Sequence, residues 1–241
     1  RLAIVEAGVV MSTLHEAATV DDLIFPLTFG ARGSAMIGGN LATNAGGSNV
    51  LRYGNARDLC LGLEVVLPSG EVMDLMSELH KDNSGYNLKH LMIGAEGTLG
   101  IITAAVLKLA PKPRAYATAM VAVPSLSDAL SLLNQLQTAT GGLVEAFEYM
   151  PRGYLDEYAA HYPKKRRPFT TRYEVNLLVE IATIIPSDSI SGKDGVVPLM
   201  ADLETALAQM FKRGAVLDAV VAQSEAERRE MWERREAAGE I

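Results

Sequence analysis

The chain has 241 residues, of which 49% are hydrophobic and 21% charged, and its net charge is −7. These values suit a folded protein of one large or two small domains. The acidic balance argues against a nucleic-acid partner, and no apolar run reaches the ~18 residues that a transmembrane helix requires. The single cysteine, Cys60, excludes an internal disulfide framework and is predicted to be a small core residue because it lies in an apolar run.

The first half of the chain alternates short apolar runs with glycine-rich segments. In chain order we predict a strand at Leu2–Val5, a helix at Ser12–Ala18 capped by Ser12, a hairpin formed by Leu61–Leu67 and Glu71–Leu75, and a strand at Gly100–Leu109. The motif Pro111-Lys112-Pro113 then marks a domain boundary, because two prolines interrupt regular structure.

The second half alternates strand and helix patterns in the order β-α-β-β-α-β, which is typical of a ferredoxin-like domain. Strands are predicted at Ala115–Val123, Val144–Met150, Glu174–Ala182 and Val216–Ala222, and helices at Leu126–Leu136 and Leu199–Met210, with a helical insert at Tyr154–Tyr162, a polar loop at Ile184–Val197 and a charged tail helix at Ser224–Glu240. The residues that recur at helical spacing in the first of these helices are Leu126, Ala129, Leu130, Leu133 and Leu136, with Ser125 before them. Gly214 is expected to close the second helix at its C′ position.

The segment that says most about chemistry is the run of fourteen uncharged residues from Ser34 to Gly47, which contains two Gly-Gly pairs. Glycine lets the backbone approach a ligand closely, and exposed N–H groups can surround an anion such as a pyrophosphate. Both a cofactor-binding loop and a flexible turn remain open for this segment. A second glycine element, Gly94–Thr103, is either a further part of such a site or a tight loop before a strand.

Other kinds of site find little support in the sequence. The dinucleotide fingerprint G-x-G-x-x-G, the P-loop and the G-x-S-x-G elbow are all missing. The chain has four histidines, at spacings that no metal site uses, and they are His15, His80, His90 and His161. The tail arginines, taken alone, predict a solvated and salt-bridged helix face, and they are Arg228, Arg229, Arg234 and Arg235.

The run Gly38–Gly47 resembles the flavin-contacting loop of FAD-linked oxidases of the vanillyl-alcohol oxidase type. The other motifs follow in the order of that family and are Arg52-Tyr53-Gly54, Gly62–Leu67, Lys81–Tyr86, Gly94–Thr103, Pro111–Arg114 and Ala146-Phe147-Glu148. The most similar branch comprises D-2-hydroxyglutarate dehydrogenase, D-lactate dehydrogenase and the glycolate oxidase flavin subunit.

This resemblance implies an α+β fold in two parts. Residues 1–112 would form the second half of a flavin-binding subdomain, and residues 113–241 a ferredoxin-like substrate (cap) domain that is incomplete at its C-terminus. In the family an earlier flavin subdomain would precede Arg1. A histidine-rich segment with a divalent metal and the catalytic base would follow Ile241. We therefore expect neither the catalytic base nor a metal ligand within this chain.

The cofactor implied by the resemblance is non-covalently bound FAD. The expected cofactor contacts are Pro26, Leu27, Gly33, Ser34, Gly38, Gly39, Asn40, Thr43, Asn44, Gly46, Gly47, Glu96, Gly97, Gly100 and Ile101. Trp232-Glu233-Arg234-Arg235-Glu236 resembles the W-x-x-R-E segment of the family, whose arginine holds the substrate carboxylate, and the matching residue is Arg235. A threonine often stands four residues later in the family, whereas this chain has Gly239.

The resemblance also implies a reaction, in which a D-2-hydroxy acid is oxidised to the 2-oxo acid and its hydride passes to the flavin. Electrons would then leave to an electron-transfer flavoprotein or a quinone. A homodimer that is cytoplasmic or peripheral to a membrane fits this interpretation. Two alternatives stay open, which are a flavin oxidase acting on an alcohol or sugar lactone and a non-catalytic subunit that keeps the fold.

Overall fold

The computed structural model describes residues 1–192 and 196–241, so part of the predicted loop Ile184–Val197 lies outside the described residues. The chain divides into two compact units, Arg1–Lys112 and Pro113–Ile241. Among the described residues, no helix is both long and apolar enough to cross a membrane.

The first unit is built on an antiparallel four-stranded sheet with the strand order β1-β5-β3-β4. Strands β2 and β6 form a separate two-stranded antiparallel sheet. The strands of this unit are β1 (Leu2–Glu6), β2 (Leu23–Ile24), β3 (Cys60–Val66), β4 (Val72–Leu75), β5 (Ile101–Lys108) and β6 (Ala110–Pro111), and its helices are α1 (Met11–Val20), α2 (Ile37–Ala42), α3 (Val50–Tyr53) and α4 (Leu88–Met92). The predicted hairpin is confirmed as β3 and β4.

Helices α1 and α2 supply buried side chains that pack with those of β3 and β5 in one hydrophobic cluster. Its fully buried members include Met11, Ile37, Leu41, Leu63 and Leu107. Each such side chain contributes roughly 1.5–3 kcal/mol of hydrophobic stabilisation relative to exposure. Most of the stability of the short helix α2 therefore comes from packing, since six residues are too few to be helical alone.

Two local predictions in this unit were wrong. The first helix begins at Met11 after Val10, and Ser12 lies inside the helix rather than capping it. The glycine-rich run predicted as a loop contains helix α2, although each glycine there lowers intrinsic helix propensity by ~1 kcal/mol relative to alanine. Burial of Ile37 and Leu41 outweighs that cost.

The second unit has the antiparallel strand order β10-β7-β9-β8, which is the ferredoxin-like arrangement predicted from the order of its elements. Its strands are β7 (Ala115–Val123), β8 (Val144–Pro151), β9 (Val175–Thr183) and β10 (Asp218–Val221), and its helices are α5 (Leu126–Ala139), α6 (Arg152–His161), α7 (Pro198–Lys212) and α8 (Glu225–Glu236). The predicted α+β class is confirmed.

The sheet of the second unit is covered on both faces. Helices α5 and α7 cover one face, where alternate residues of β7 and β9 are buried in a large apolar cluster. Helices α6 and α8 cover the other face, against Met120, Leu178 and Met150. Because β9 is covered on both faces, every one of its nine residues is buried.

Helix termini in the second unit follow the predicted signals, and the apolar stripe of α5 follows them in part. Ser125 caps α5 by accepting a hydrogen bond from the Asp128 N–H, and Gly214 follows α7 with φ +75°. The predicted stripe is confirmed at Ala129 and Leu136, which are buried, and at Leu133, which packs against the core. Leu126 and Leu130 are exposed, and Leu132, which was not predicted, takes the third buried position.

Cys60 is buried, and burial raises the pKa of its thiol to about 12. At pH 8 the thiolate fraction should therefore be roughly 1,000-fold below that of an ordinary cysteine. We expect the native protein to resist iodoacetamide at pH 8 and the protein in 6 M guanidinium to react at once. Labelling followed by intact-mass spectrometry measures both rates, and rapid native labelling would contradict the assignment of Cys60 to the core.

Candidate functional site

The first glycine segment is fixed by backbone contacts to β1 and the residues after it. The Ile37 N–H donates to Val9 O at 3.0 Å, and the Gly38 N–H donates to Ala7 O at 2.8 Å. A Cβ on Gly38 would lie 2.7 Å from the Ala7 Cβ. The close approach of these two backbones therefore requires glycine at position 38.

The end of α2 holds the second glycine segment. The Gly94 N–H donates to Leu41 O and the Glu96 N–H to Ala42 O, each at 3.0 Å. Gly94 and Glu96 both adopt left-handed backbone conformations, with φ values of +85° and +50°. Such a conformation is uncommon for a glutamate, which fits a loop whose path is set by its contacts rather than by local preference.

Arg57 joins the two glycine segments and had no signal in the sequence beyond its place after the Arg-Tyr-Gly motif. Its backbone N–H donates to Asn44 Oδ1 at 3.0 Å, and its guanidinium donates to the carbonyl oxygens of His90 and Ile93. Asn44 has φ +49°, a conformation that asparagine adopts more readily than most residues. Arg57 thus ties Asn44 of the first segment to the residues that lead directly into the second segment at Gly94.

The Phe25–Ser34 segment joins the same region. The Ser48 N–H donates to Thr28 O at 3.1 Å, and a Cβ on Gly47 would lie only 2.3 Å from that oxygen. His15 Nε2 lies 3.0 Å from Leu27 O, and burial lowers the pKa of His15. The structure therefore brings the three predicted cofactor segments together within the first unit.

The predicted contact residues differ in exposure, and four of them, Gly38, Asn44, Gly47 and Gly100, are half-buried. The exposed residues are Gly33, Ser34, Gly39, Thr43, Gly46, Glu96, Gly97 and Ile101, and the buried ones are Pro26, Leu27 and Asn40. The Asn40 amide lies 3.6 Å from Met11 Sδ inside the core. Gly100 is needed for packing, since a Cβ there would lie 2.7 Å from Val65 Cγ1. The buried residues support the surface, and the exposed ones can reach a ligand.

The exposed glycines of this set suit a surface that a cofactor approaches closely. Within residues 1–192 and 196–241, the backbone N–H groups of Gly39, Gly46 and Gly97 have no hydrogen-bond acceptor. A Cβ at Gly39 would meet no atom within 4 Å, so open space adjoins this backbone. N–H groups without a protein acceptor are chemically suited to the phosphate and flavin edges of FAD, because both present hydrogen-bond acceptors.

A separate cleft of about 600 Å³ lies elsewhere in the first unit. Its walls include Arg57, Asp74, His80, Lys89 and Lys108 and contain no predicted cofactor residue. Among the described residues, no group of three or more His, Cys, Asp or Glu side chains could hold a metal ion.

In the second unit, a buried carboxylate attaches helix α8 to the sheet. Glu180 of β9 accepts from Arg228 through two bonds, Nε to Oε2 at 2.7 Å and Nη2 to Oε1 at 2.8 Å. Trp232 Nε1 donates to the same carboxylate at 2.8 Å, and Thr118 Oγ1 also donates to it. Although burial alone would lower the pKa of Arg228, hydrogen bonds and charge from Glu180 raise it.

Arg235, the predicted carboxylate-binding residue, lies in the last turn of α8. Its Nε donates to Glu148 Oε2 of β8 at 2.7 Å, and the two side chains are 36% and 19% exposed. Its neighbour Arg234 is buried and donates to Arg166 O at 2.8 Å. Of these two arginines, only Arg235 is therefore open to solvent. The acceptors Glu148 and Glu180 had not been predicted, because both lie far away in sequence.

Two family models match the chain. Residues 1–76 match the FAD binding domain, and residues 112–241 match the C-terminal domain of FAD linked oxidases. The predicted fold class, a flavin-binding part followed by an oxidase C-terminal domain, is confirmed by these matches.

Curated relatives match along nearly the whole chain. The D-2-hydroxyglutarate dehydrogenase of Xanthomonas citri pv. viticola is 37% identical over 240 residues, covering 100% of this chain and 48% of that protein. The mitochondrial D-2-hydroxyglutarate dehydrogenase of Rattus norvegicus is 36% identical over 239 residues, covering 98% and 42%. The chain thus spans less than half the length of these relatives.

A solved structure titled alkyldihydroxyacetonephosphate synthase has the same fold. It matches with a TM-score of 0.67 and 20% identity, and the match covers 98% of this chain and 43% of that one. At this identity the likeness concerns the fold alone.

Gly47→Ala should destabilise the first unit, because its Cβ would overlap the Thr28 carbonyl oxygen, a backbone atom that cannot move freely. Overpacking of this kind costs about 1–3 kcal/mol. Gly8→Ala is the matched control, since a Cβ there meets nothing within 4 Å. Urea unfolding followed by circular dichroism measures the free energy of unfolding of both variants. Equal stabilities would refute the predicted close approach.

Glu180→Ala should destabilise the second unit by about 3 kcal/mol, because Arg228 loses the partner that offsets its burial. Glu174→Ala removes an exposed ion pair with Arg152 and should leave the free energy of unfolding unchanged. Urea denaturation compares the two variants. A small effect at both positions would mean that Glu180 does not hold α8 in place.

Proposed function

This chain belongs to the FAD-linked oxidases, and on that premise we propose that it is part of a flavoenzyme that oxidises a D-2-hydroxy acid to the 2-oxo acid. The proposed substrate class is that of D-2-hydroxyglutarate or D-lactate. Relatives named D-2-hydroxyglutarate dehydrogenase support this choice. The structural observation that carries it is Arg235, a half-exposed arginine held at the end of α8.

Within this proposal the two units have different tasks. Residues 1–112 bind the flavin as the second half of its domain, and residues 113–241 contribute to the substrate site. The glycine surface of the first unit provides N–H donors and no lysine or arginine within the run Ser34–Gly47. Neutral donors at fixed positions orient a polar cofactor with little loss of entropy on binding.

FAD, when bound, supplies the redox chemistry of the reaction by accepting hydride. The residues of this chain then have binding and positioning roles. Gly39, Gly46 and Gly97 present backbone N–H groups, and Thr43 presents a hydroxyl that donates to Gly39 O at 3.0 Å and can still accept. Glu96 and Ile101 lie exposed on the same proposed surface.

Arg235 binds the substrate carboxylate in this proposal. A guanidinium presents its donors in a planar fork that matches the two oxygens of a carboxylate. Binding one end of the substrate through two bonds fixes the direction in which the C2–H bond points. Orientation of this kind is a large part of what a protein contributes to a cofactor-dependent oxidation.

The proposal extends to the electron acceptor and the assembly. Electrons leave to an electron-transfer flavoprotein or a quinone, and the protein acts as a homodimer in the cytoplasm or at a membrane surface. Size-exclusion chromatography with light scattering measures the assembly. Reoxidation rates with a soluble quinone and with an electron-transfer flavoprotein compare the acceptors.

The substrate class is tested by anaerobic titration of the natural polypeptide, expressed from its complete coding sequence, with D-2-hydroxyglutarate, D-lactate and glycolate. We expect one of these to bleach the visible flavin absorbance stoichiometrically. A yellow protein that none of them bleaches would instead indicate a flavin oxidase for an alcohol or sugar lactone. A colourless protein would indicate a non-catalytic subunit.

Arg235→Met should lower kcat/KM for the 2-hydroxy acid by about 100-fold, because the substrate carboxylate loses a charged, bidentate partner. Arg229→Met is the control on the same helix, since Arg229 is exposed and its Nε makes a long hydrogen bond to Glu225 O, at 3.4 Å. Steady-state kinetics with an artificial acceptor measures both. Equal activities in the two variants would remove Arg235 from the substrate site.

A further inference from the structure

The four arginines of α8 differ in how their donor groups are used. Arg228 donates from Nε and Nη2 to Glu180, and Arg234 is buried and donates from Nη2 to Arg166 O. Arg235 uses only Nε, which donates to Glu148, and within the described part of the chain its Nη1 and Nη2 have no partner. Arg229 is exposed, and no carboxylate among the described residues pairs with it.

We infer that Glu148 is a positioning residue for substrate binding, which holds the Arg235 guanidinium through Nε and leaves its Nη1–Nη2 edge free for the substrate carboxylate. The inference rests on the proposed function. It adds a specific role for a residue of the Ala146-Phe147-Glu148 motif, whose task the sequence had not revealed.

The geometry suits this role because one hydrogen bond restricts the rotamers of the Arg235 side chain. A free arginine side chain loses up to ~2 kcal/mol of rotamer entropy when it is immobilised. The 2.7 Å bond from Nε to Glu148 Oε2 sets the position and plane of the guanidinium before a ligand arrives. A preorganised fork loses less entropy when a carboxylate binds.

Glu148 can hold the arginine because its own position is fixed by the sheet. It lies in β8 opposite Leu178 of β9, and its side chain is largely buried. However, a carboxylate close to the site also repels an anionic substrate. Positioning and repulsion predict opposite changes in KM when the Glu148 side chain is replaced, so the sign of the change distinguishes them.

The test uses the natural polypeptide with Glu148→Leu and Glu148→Gln. Glu148→Leu removes the acceptor, and we expect KM for the 2-hydroxy acid to rise about 10-fold while kcat changes less than about twofold. Glu148→Gln keeps an oxygen that accepts from Nε, so its KM should lie between that of the wild type and that of Glu148→Leu. Glu233→Gln is the control, because Glu233 is an exposed residue of α8 paired with Lys165.

A double-mutant cycle with Arg235→Lys completes the test, since lysine lacks the guanidinium Nε–H that donates to Glu148. In that background Glu148→Leu should leave KM unchanged. Flavin content and Tm are measured for every variant, and Glu148→Gln carries the comparison should Glu148→Leu fail to fold.

Three results would overturn the inference alone, provided that a 2-hydroxy acid bleaches the wild-type flavin. They are a KM that is unchanged or lowered in both Glu148 variants, a loss of Tm and flavin content without a change in KM, and the same KM increase in the Arg235→Lys background. A wild-type flavin that no 2-hydroxy acid bleaches would instead overturn the proposed function, and this inference with it.

Discussion

The cost of burying the Glu180 carboxylate decides where helix α8 lies. An unpaired charge in the interior of a protein is strongly unfavourable, so Glu180 must be neutralised where it stands in β9. Arg228 supplies the opposite charge, and Trp232 and Thr118 supply further donors. Since the first two belong to α8, the carboxylate and the helix fix each other's position.

The same attachment presents Arg235 to a second carboxylate. Arg228 and Arg235 are seven residues apart, and this spacing puts both on one face of a helix. Once Arg228 is tied to β9, Arg235 reaches Glu148 on the neighbouring strand β8. A structural ion pair near the start of the helix thus sets the geometry of the residue that we propose to bind substrate near its end.

In the first unit the corresponding constraint is close approach of backbones rather than charge. Gly38 and Gly47 each occupy a place where a Cβ would overlap Ala7 or Thr28. Their small size lets the strand, the Phe25–Ser34 segment and α2 lie directly against one another. Among the described residues, these contacts leave the N–H groups of Gly39 and Gly46 without an acceptor, and we propose that a polar cofactor binds there.

The surroundings of each glycine predict whether the fold can accept a side chain at that position. Positions that pack against backbone cannot accept a side chain without shifting the fold. Gly39, by contrast, adjoins open space and has no packing reason to be glycine. In the function that we propose, close approach of the cofactor would supply the physical reason there.

Local sequence determined those features that depend on neighbouring residues. The caps Ser125 and Gly214, the β3–β4 hairpin and the alternation of the second unit could all be predicted, because each reflects local geometry or periodicity. The glycine motifs also indicated the family. Tertiary structure decided the rest: Ile37 and Leu41 made a helix from a glycine-rich run because packing outweighed propensity. It also paired Glu148 with Arg235 across 87 residues, and no local pattern encodes which charges meet when strands and helices assemble.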